Sequence, residues 1–96
     1  MILVSLRPTA QRDLDEIWDY SADRWGLDRA DDYVLEIRSN IAALPTSGHR
    51  QSSRDDLYPD LRQARTGAHL IFFLIGDQTI EVVRILHERR DAAALI

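Results

Sequence analysis

The chain has no cysteine and no lysine, only four glycines and three prolines in 96 residues, and no long apolar run. Each shortage excludes something. Without cysteine there is no disulfide scaffold, no thiolate metal site and no cysteine nucleophile. That fits a reducing compartment. Without lysine, all twelve basic residues are arginine. A guanidinium grips carboxylate or phosphate through a planar fork, but it cannot shuttle protons as an amine can. The few glycines and prolines are scattered and form no linker or low-complexity tract. The longest apolar run, Leu70 to Ile75, falls far short of the roughly 18 residues of a membrane span. Met1 to Leu6 is apolar but stops at Arg7 and Pro8, too short for a signal peptide and with its charge on the wrong side. These features read as a cytoplasmic chain with no membrane contact. The length suits a single domain over residues 1–96 with a thin core.

Charge is present but unevenly placed. The net is −4. Residues 1–48 carry all of it, and residues 49–96 sum to zero. Residues 61–90 are locally basic, with five Arg against three acids. A free nucleic-acid binder is usually basic overall. No direct binding of free nucleic acid is therefore expected, and any such contact should be local or made through another protein.

Periodicity supplies the elements. Residues 3–6 alternate weakly and read as a strand. Pro8 and Thr9 mark a helix start, with Thr9 as its cap, and a helix over residues 9–25 follows. Ala10, Leu14, Ile17, Trp18 and Trp25 fall on its apolar stripe, which makes both tryptophans core candidates. Asp13, Asp15, Glu16 and Asp19 read as its solvated face. After Gly26, the positions Ala30, Tyr33, Val34, Ile37, Ile41 and Leu44 repeat at the helical period, giving a second helix over residues 27–44. The short joint makes the pair an antiparallel hairpin. Residues 46–60 have no period and read as a loop. Three β-favouring runs follow at 61–66, 69–75 and 79–87, joined by tight turns, so they pair as an antiparallel meander. Residues 91–96 form a tail. The order β-α-α-β-β-β defines an α+β domain, a helical hairpin over a small, mainly antiparallel sheet.

One strand is too apolar for that frame. Side chains alternate across a strand, yet Leu70 to Ile75 is apolar at every position. Val83 and Ile85 likewise oppose Ile80, Val82 and Leu86. The hairpin covers only one face. The other needs the loop, the tail, a second copy or a partner, and an open face would be a protein-binding site.

The motif search is mostly negative. His49, His69 and His87 lie at no metal-ligand spacing, so neither a metal nor another cofactor is expected. There is no nucleophile elbow and no phosphate-binding glycine loop. Arg62, Arg65, Arg84, His87, Arg89 and Arg90 sit on or beside strands of one small sheet. Arg forks with one imidazole can hold a phosphodiester; salt bridges to Glu81, Glu88 and Asp91 are the plainer reading.

Several segments together resemble the ParE toxins. Pro8 to Tyr20 is similar to that family's opening helix, and Arg24-Trp25-Gly26, with Ala30 and Tyr33, to its hairpin. Gly67-Ala68-His69-Leu70-Ile71-Phe72-Phe73 resembles its glycine–histidine–apolar strand. Ile80 to Asp91 resembles its closing strand. The resemblance implies the RelE/ParE fold and the toxin of a type II toxin–antitoxin pair. It implies a topoisomerase poison rather than an enzyme, one that arrests growth through DNA gyrase. It also implies a ParD-like antitoxin whose flexible C-terminal part packs apolar side chains on the toxin, with a possible higher-order assembly of the two. On that basis no residue is catalytic. Arg62, Arg65, Arg84, His87, Arg89 and Arg90 are the target-binding candidates; Trp18, Leu35, Phe73 and Ile85 are the antitoxin-binding candidates. The chain departs from the family in having Phe73 where a tyrosine is frequent, and in a short loop between Leu44 and Arg50. The alternative is a RelE-type ribosome-dependent mRNA endonuclease, for which Arg65, Arg84 and His87 are the available groups. A third reading is an inactive relative.

Overall fold

The computed structural model describes residues 2–96. Strand β1 (Leu3–Leu6) runs into helix α1 (Pro8–Trp25). Pro8 occupies the first helical turn, where its missing N–H costs nothing. The cap position is Arg7, not Thr9, and it makes no side-chain cap bond. Thr9 instead donates its hydroxyl to the Val83 carbonyl at 3.1 Å. Gly26, at φ +95, closes α1 and opens helix α2 (Leu27–Ala42). That positive φ is what only glycine adopts without strain.

The second helix ends at Ala42 rather than at Leu44; a helical turn, α3 (Leu44–Ser47), follows, and residues 46–60, read as a loop, also hold a 3₁₀ turn (Gly48–Arg50) and a two-residue strand, β2 (Ser52–Ser53). Strands β3 (Arg62–Thr66), β4 (His69–Ile75) and β5 (Thr79–His87) follow. The tail forms a last helical turn, α4 (Ala92–Leu95). The sheet order is β1-β5-β4-β3-β2, with β1 parallel to β5 and every other pair antiparallel. The β-α-α-β-β-β order read from periodicity is thus the observed frame, with β2 added at the edge.

Both faces of the sheet are covered. On one face the hairpin packs Ala10, Leu14, Ile17, Ile37 and Ile41 against Ile71, Phe73, Ile80, Val82 and Ile85. On the other, Leu61, Phe72, Val83 and Leu86 are covered by Leu57 from the loop and by Ala92, Leu95 and Ile96 from the tail. Arg54 adds its guanidinium above the Phe72 ring, 5.8 Å from the centroid. The apolar face that composition left without a cover is therefore closed by the chain's own loop and tail. Two core assignments are corrected as well. Trp25 is 54% exposed at the hairpin tip. Asp13, read as solvated, is buried instead.

A β-bulge decides which residues of β5 enter which core. Phe73 pairs with Val82 and Phe72 with Arg84, which leaves Val83 as an extra residue in β5. Val82 and Val83 face opposite cores by ordinary alternation, and the inserted residue then breaks that alternation. Ile85 therefore joins Ile80 and Val82 on the hairpin side and Leu86 joins Val83 on the tail side, which corrects the grouping of Val83 with Ile85 expected from strict alternation.

Because the tail is the lid of the second core, removing Asp91–Ile96 should lower stability by about 1–2 kcal/mol, the worth of two half-buried aliphatic side chains. Urea unfolding of the truncated chain measures this. Binding of a hydrophobic dye, absent from the full chain, should report the uncovered face.

Candidate functional site

The end of the sheet nearest the β3–β4 turn holds the richest chemistry. Gly67, at φ +56, and Ala68 make that turn. A Cβ on Gly67 would lie 2.9 Å from the Tyr33 ring and hydroxyl. Glycine therefore allows both the left-handed backbone and the approach of Tyr33 from α2. The Tyr33 hydroxyl donates to the Thr66 carbonyl at 3.1 Å and lies 2.6 Å from His69 Nδ1.

That geometry bears on the His69 tautomer. The hydroxyl has one proton, and a carbonyl can only accept. Both contacts are satisfied only when His69 Nδ1–H donates to the Tyr33 oxygen. His69 Nε2 then carries a lone pair. Burial, followed by the neighbouring His87, holds the His69 pKa down to about 4, against a small opposing pull from Glu88. The ring is thus neutral at pH 7. Burial also raises the Tyr33 pKa, so the hydroxyl keeps its proton.

His87 sits directly opposite His69 in the β4–β5 ladder. Their rings meet edge to face with centroids 5.3 Å apart. His87 Nδ1 accepts the Arg89 backbone N–H at 3.1 Å, which puts the His87 proton on Nε2. The two imidazoles therefore carry opposite tautomers. They line a cleft of about 540 Å³ between α1 and the end of β5, together with Asp13, Glu16, Tyr20, Arg89 and Arg90.

The wall of this cleft is built from a strand edge. β1 pairs with β5 only as far as Val82. Beyond it, α1 side chains take the place of a neighbouring strand. Thr9 bonds the Val83 carbonyl, and Asp13 Oδ2 accepts the Ile85 N–H at 3.0 Å. Asp13 also takes a bidentate fork from Arg84, Nε at 2.8 Å and Nη2 at 2.9 Å. The Arg84 Nη1 donates to the Leu95 carbonyl in the tail at 3.1 Å. Asp13 pushes the Arg84 pKa further up.

Of the six target-binding candidates, the structure brings His87, Arg89 and Arg90 together at the cleft. Arg89 and Arg90 are exposed and form no ion pair among the described residues. Arg65 pairs with Glu88. Arg62 lies at the far end of β3, donating to the carbonyls of His49 and Gln51. Arg84 is committed to Asp13 and the tail. Of the antitoxin candidates, Leu35 is 63% exposed on α2, and Trp18 is half-buried, its Nε1–H on Asp31 at 2.8 Å. Phe73 and Ile85 are buried in the hairpin-side core, so the expectation that a partner touches them is corrected: alternation in β4, and the bulge in β5, turn both inward. Tyr33, His69 and Asp13 were not singled out by sequence. The turn glycine followed by histidine was their only local signal.

The arrangement offers two guanidinium groups that form no ion pair among the described residues, one imidazole donor and one imidazole acceptor. Among the described residues no group of His, Asp and Glu is arranged to hold a metal ion, and no helix is long and apolar enough to cross a membrane.

Residues 4–92 match the model of a family described as the ParE toxin of the type II toxin–antitoxin system parDE. The chain is 39% identical over 87 residues to Toxin ParE1 of Mycobacterium tuberculosis, covering 90% of this chain and 89% of that one. It is 33% identical over 85 residues to Toxin ParE1 of Caulobacter vibrioides, covering 88% of each. Its fold superimposes with a TM-score of 0.78, at 21% identity, on a chain of the chromosomal ParDE toxin–antitoxin system from P. aeruginosa, covering 91% of this chain and 96% of that one. A helical hairpin on a five-stranded sheet with a cation-rimmed cleft is thus the fold of a toxin of a type II toxin–antitoxin system. The chain belongs to the ParE toxin family.

Two consequences of the site can be measured. Asp13→Ala would strand the partly buried Arg84 charge and the buried Ile85 N–H together, and should cost about 2–3 kcal/mol in urea unfolding; Asp13→Asn, which keeps an acceptor, should cost less. His69 gives a pH dependence. Its folded pKa of about 4 lies below the ordinary value of 6.5, so the unfolded chain takes up a proton that the folded chain refuses. Stability is therefore full above pH 6.5 and falls as the pH drops toward 4. Between pH 7.5 and 5 the loss should be about 1 kcal/mol, allowing for the ring's partial exposure, and His69→Asn should remove it.

Proposed function

We propose that this toxin acts in the cytoplasm by inhibiting DNA gyrase, and that a ParD-like antitoxin holds it inactive. Family membership over residues 4–92 supports a poison that binds its target. The observation that favours this reading over RelE-type RNA cleavage is the commitment of the arginines: of the three groups available to a nuclease, Arg65, Arg84 and His87, Arg65 is engaged with Glu88 and Arg84 with Asp13. His69, which stands opposite His87, has its pKa held down to about 4 by burial and is a weak base. What stays free is Arg89 and Arg90 beside the His87 donor, a patch that suits an anionic surface on a large partner.

The antitoxin reading uses a different surface. The hairpin carries net charge −3 on α1 and −2 on α2. Leu35 is exposed on it, and Trp18 is partly so. An antitoxin segment with apolar anchors and basic flanks complements such a face.

Induction of the chain alone should stop growth with broken DNA, and excess gyrase should relieve it. In a supercoiling assay with purified gyrase, Arg89→Ala with Arg90→Ala should weaken inhibition about tenfold, the effect of about 1.4 kcal/mol of lost contact. Arrest with intact DNA and shortened messages would instead favour the endonuclease. Soluble protein without arrest would leave the inactive relative.

A further inference from the structure

The tip of the helical hairpin carries a cluster that neither core uses. Among the described residues, three of the exposed large apolar or aromatic side chains, Tyr20, Trp25 and Leu27, fall around the turn at Gly26. Single apolar residues at a surface are ordinary; a cluster is not. Tyr20 and Trp25 meet edge to face, with ring centroids 6.2 Å apart. The Arg24 guanidinium stands 5.6 Å from the Tyr20 centroid and 5.8 Å from that of Trp25. Arg24 is exposed and forms no ion pair among the described residues. Its charge is held at the surface by two rings and not by a carboxylate.

Trp, Tyr and Arg are the residue types that dominate binding energy at protein interfaces. Their mutual contact adds preorganisation. An aromatic ring has few rotamers, and a guanidinium already held against two rings loses less freedom when a partner arrives.

Charge decides between partners. Helices α1 and α2 carry −3 and −2. Residues 20–29 hold Asp23, Arg24, Asp28 and Arg29 and sum to zero, so the negative charge of the hairpin lies away from its tip. A basic antitoxin segment is drawn to that acidic remainder. Tyr20 also lines the cleft with Arg89 and Arg90, so the tip cluster continues from the cationic rim of the cleft. The two together offer three guanidinium groups free of ion pairs among the described residues. That strip complements an acidic protein surface with an apolar hollow.

We propose that Tyr20, Arg24 and Trp25 form a second contact with the toxin's target, Trp25 entering an apolar hollow on an acidic face of gyrase. The proposal rests on the gyrase reading and adds the hairpin tip to it.

The test is inhibition of gyrase supercoiling by the purified full chain. Trp25→Ala should raise the inhibitory concentration about tenfold, and Arg24→Glu, which reverses the charge, at least as much. Arg24→Lys keeps the charge without the planar fork and should cost about threefold. Leu35→Ala, elsewhere on the hairpin, should leave inhibition as it was. The substituted side chains are exposed, so urea midpoints should match that of the parent chain. If the parent chain inhibits gyrase and both Trp25→Ala and Arg24→Glu inhibit it equally well, the proposal is overturned and the gyrase reading stands. The same holds if those two variants keep full inhibition and lose instead a dimer in sedimentation, which would put a second copy on the tip, or antitoxin binding. A parent chain that does not inhibit gyrase would overturn both.

Discussion

The arrangement of this protein depends on one extra residue in β5. Counted from the turn at Gly76–Gln78, β4 and β5 pair regularly as far as Phe73 opposite Val82. Val83 then bulges, and every later pair is displaced by one. Without that displacement, Leu86 would stand opposite His69 and His87 would leave the hairpin face. A single-residue slip moves a whole segment to the other side of a sheet. Here it places Ile85 in the hairpin-side core, Val83 and Leu86 in the tail-side core, and the two imidazoles against each other. The facing imidazoles and the sorting of Ile85 and Leu86 between the two cores are two results of the same insertion.

The second constraint is the early end of β1. Pro8 starts α1 immediately after the strand, so the outer edge of β5 loses its neighbour beyond Val82. Unpaired strand edges invite pairing with other chains. This chain meets the exposed groups with Thr9 and Asp13 from α1. Asp13 can sit there only because Arg84 neutralises it, and Arg84 in turn grips the tail. One buried carboxylate therefore links the first helix, the last strand and the lid of the second core. Breaking such a pair by removing one partner costs far more than the pair is worth as a whole. That explains why an arginine on an apparent binding strand is a structural residue.

The helices and the main strands were legible because each carries its own period. Ile37, Ile41 and Leu44 mark the helical repeat, and Leu70 to Ile75 marks a strand that needs two covered faces. The excess was visible; its cover was not, because Leu57, Leu95 and Ile96 belong to segments without period. Trp25 falls on a helical stripe but lies past the last turn that the sheet can reach, and so it is exposed. Asp13 has the spacing of a buried position and the chemistry of a surface one; only the unpaired Ile85 N–H decides between them. The meeting of His69 with His87 was out of reach for the same reason as the sharing of one core by Val82 and Ile85. A bulge changes register without changing composition, and no short motif in Thr79 to His87 announces it.

The cleft also shows why similar cations on one sheet do different work. Arginine stays charged at any working pH, so its role is set by its neighbours. Where a carboxylate lies within reach, as with Arg84 and Arg65, the guanidinium is used up in holding the fold. Where the backbone turns away from the sheet after His87, Glu88 is held by Arg65, and Arg89 and Arg90 form no ion pair among the described residues. His69 completes the contrast. Burial beside a second imidazole strips it of charge and of useful basicity, yet leaves it a directed acceptor. A site built from permanent cations and a neutral acceptor can discriminate among partners by shape and hydrogen bonding.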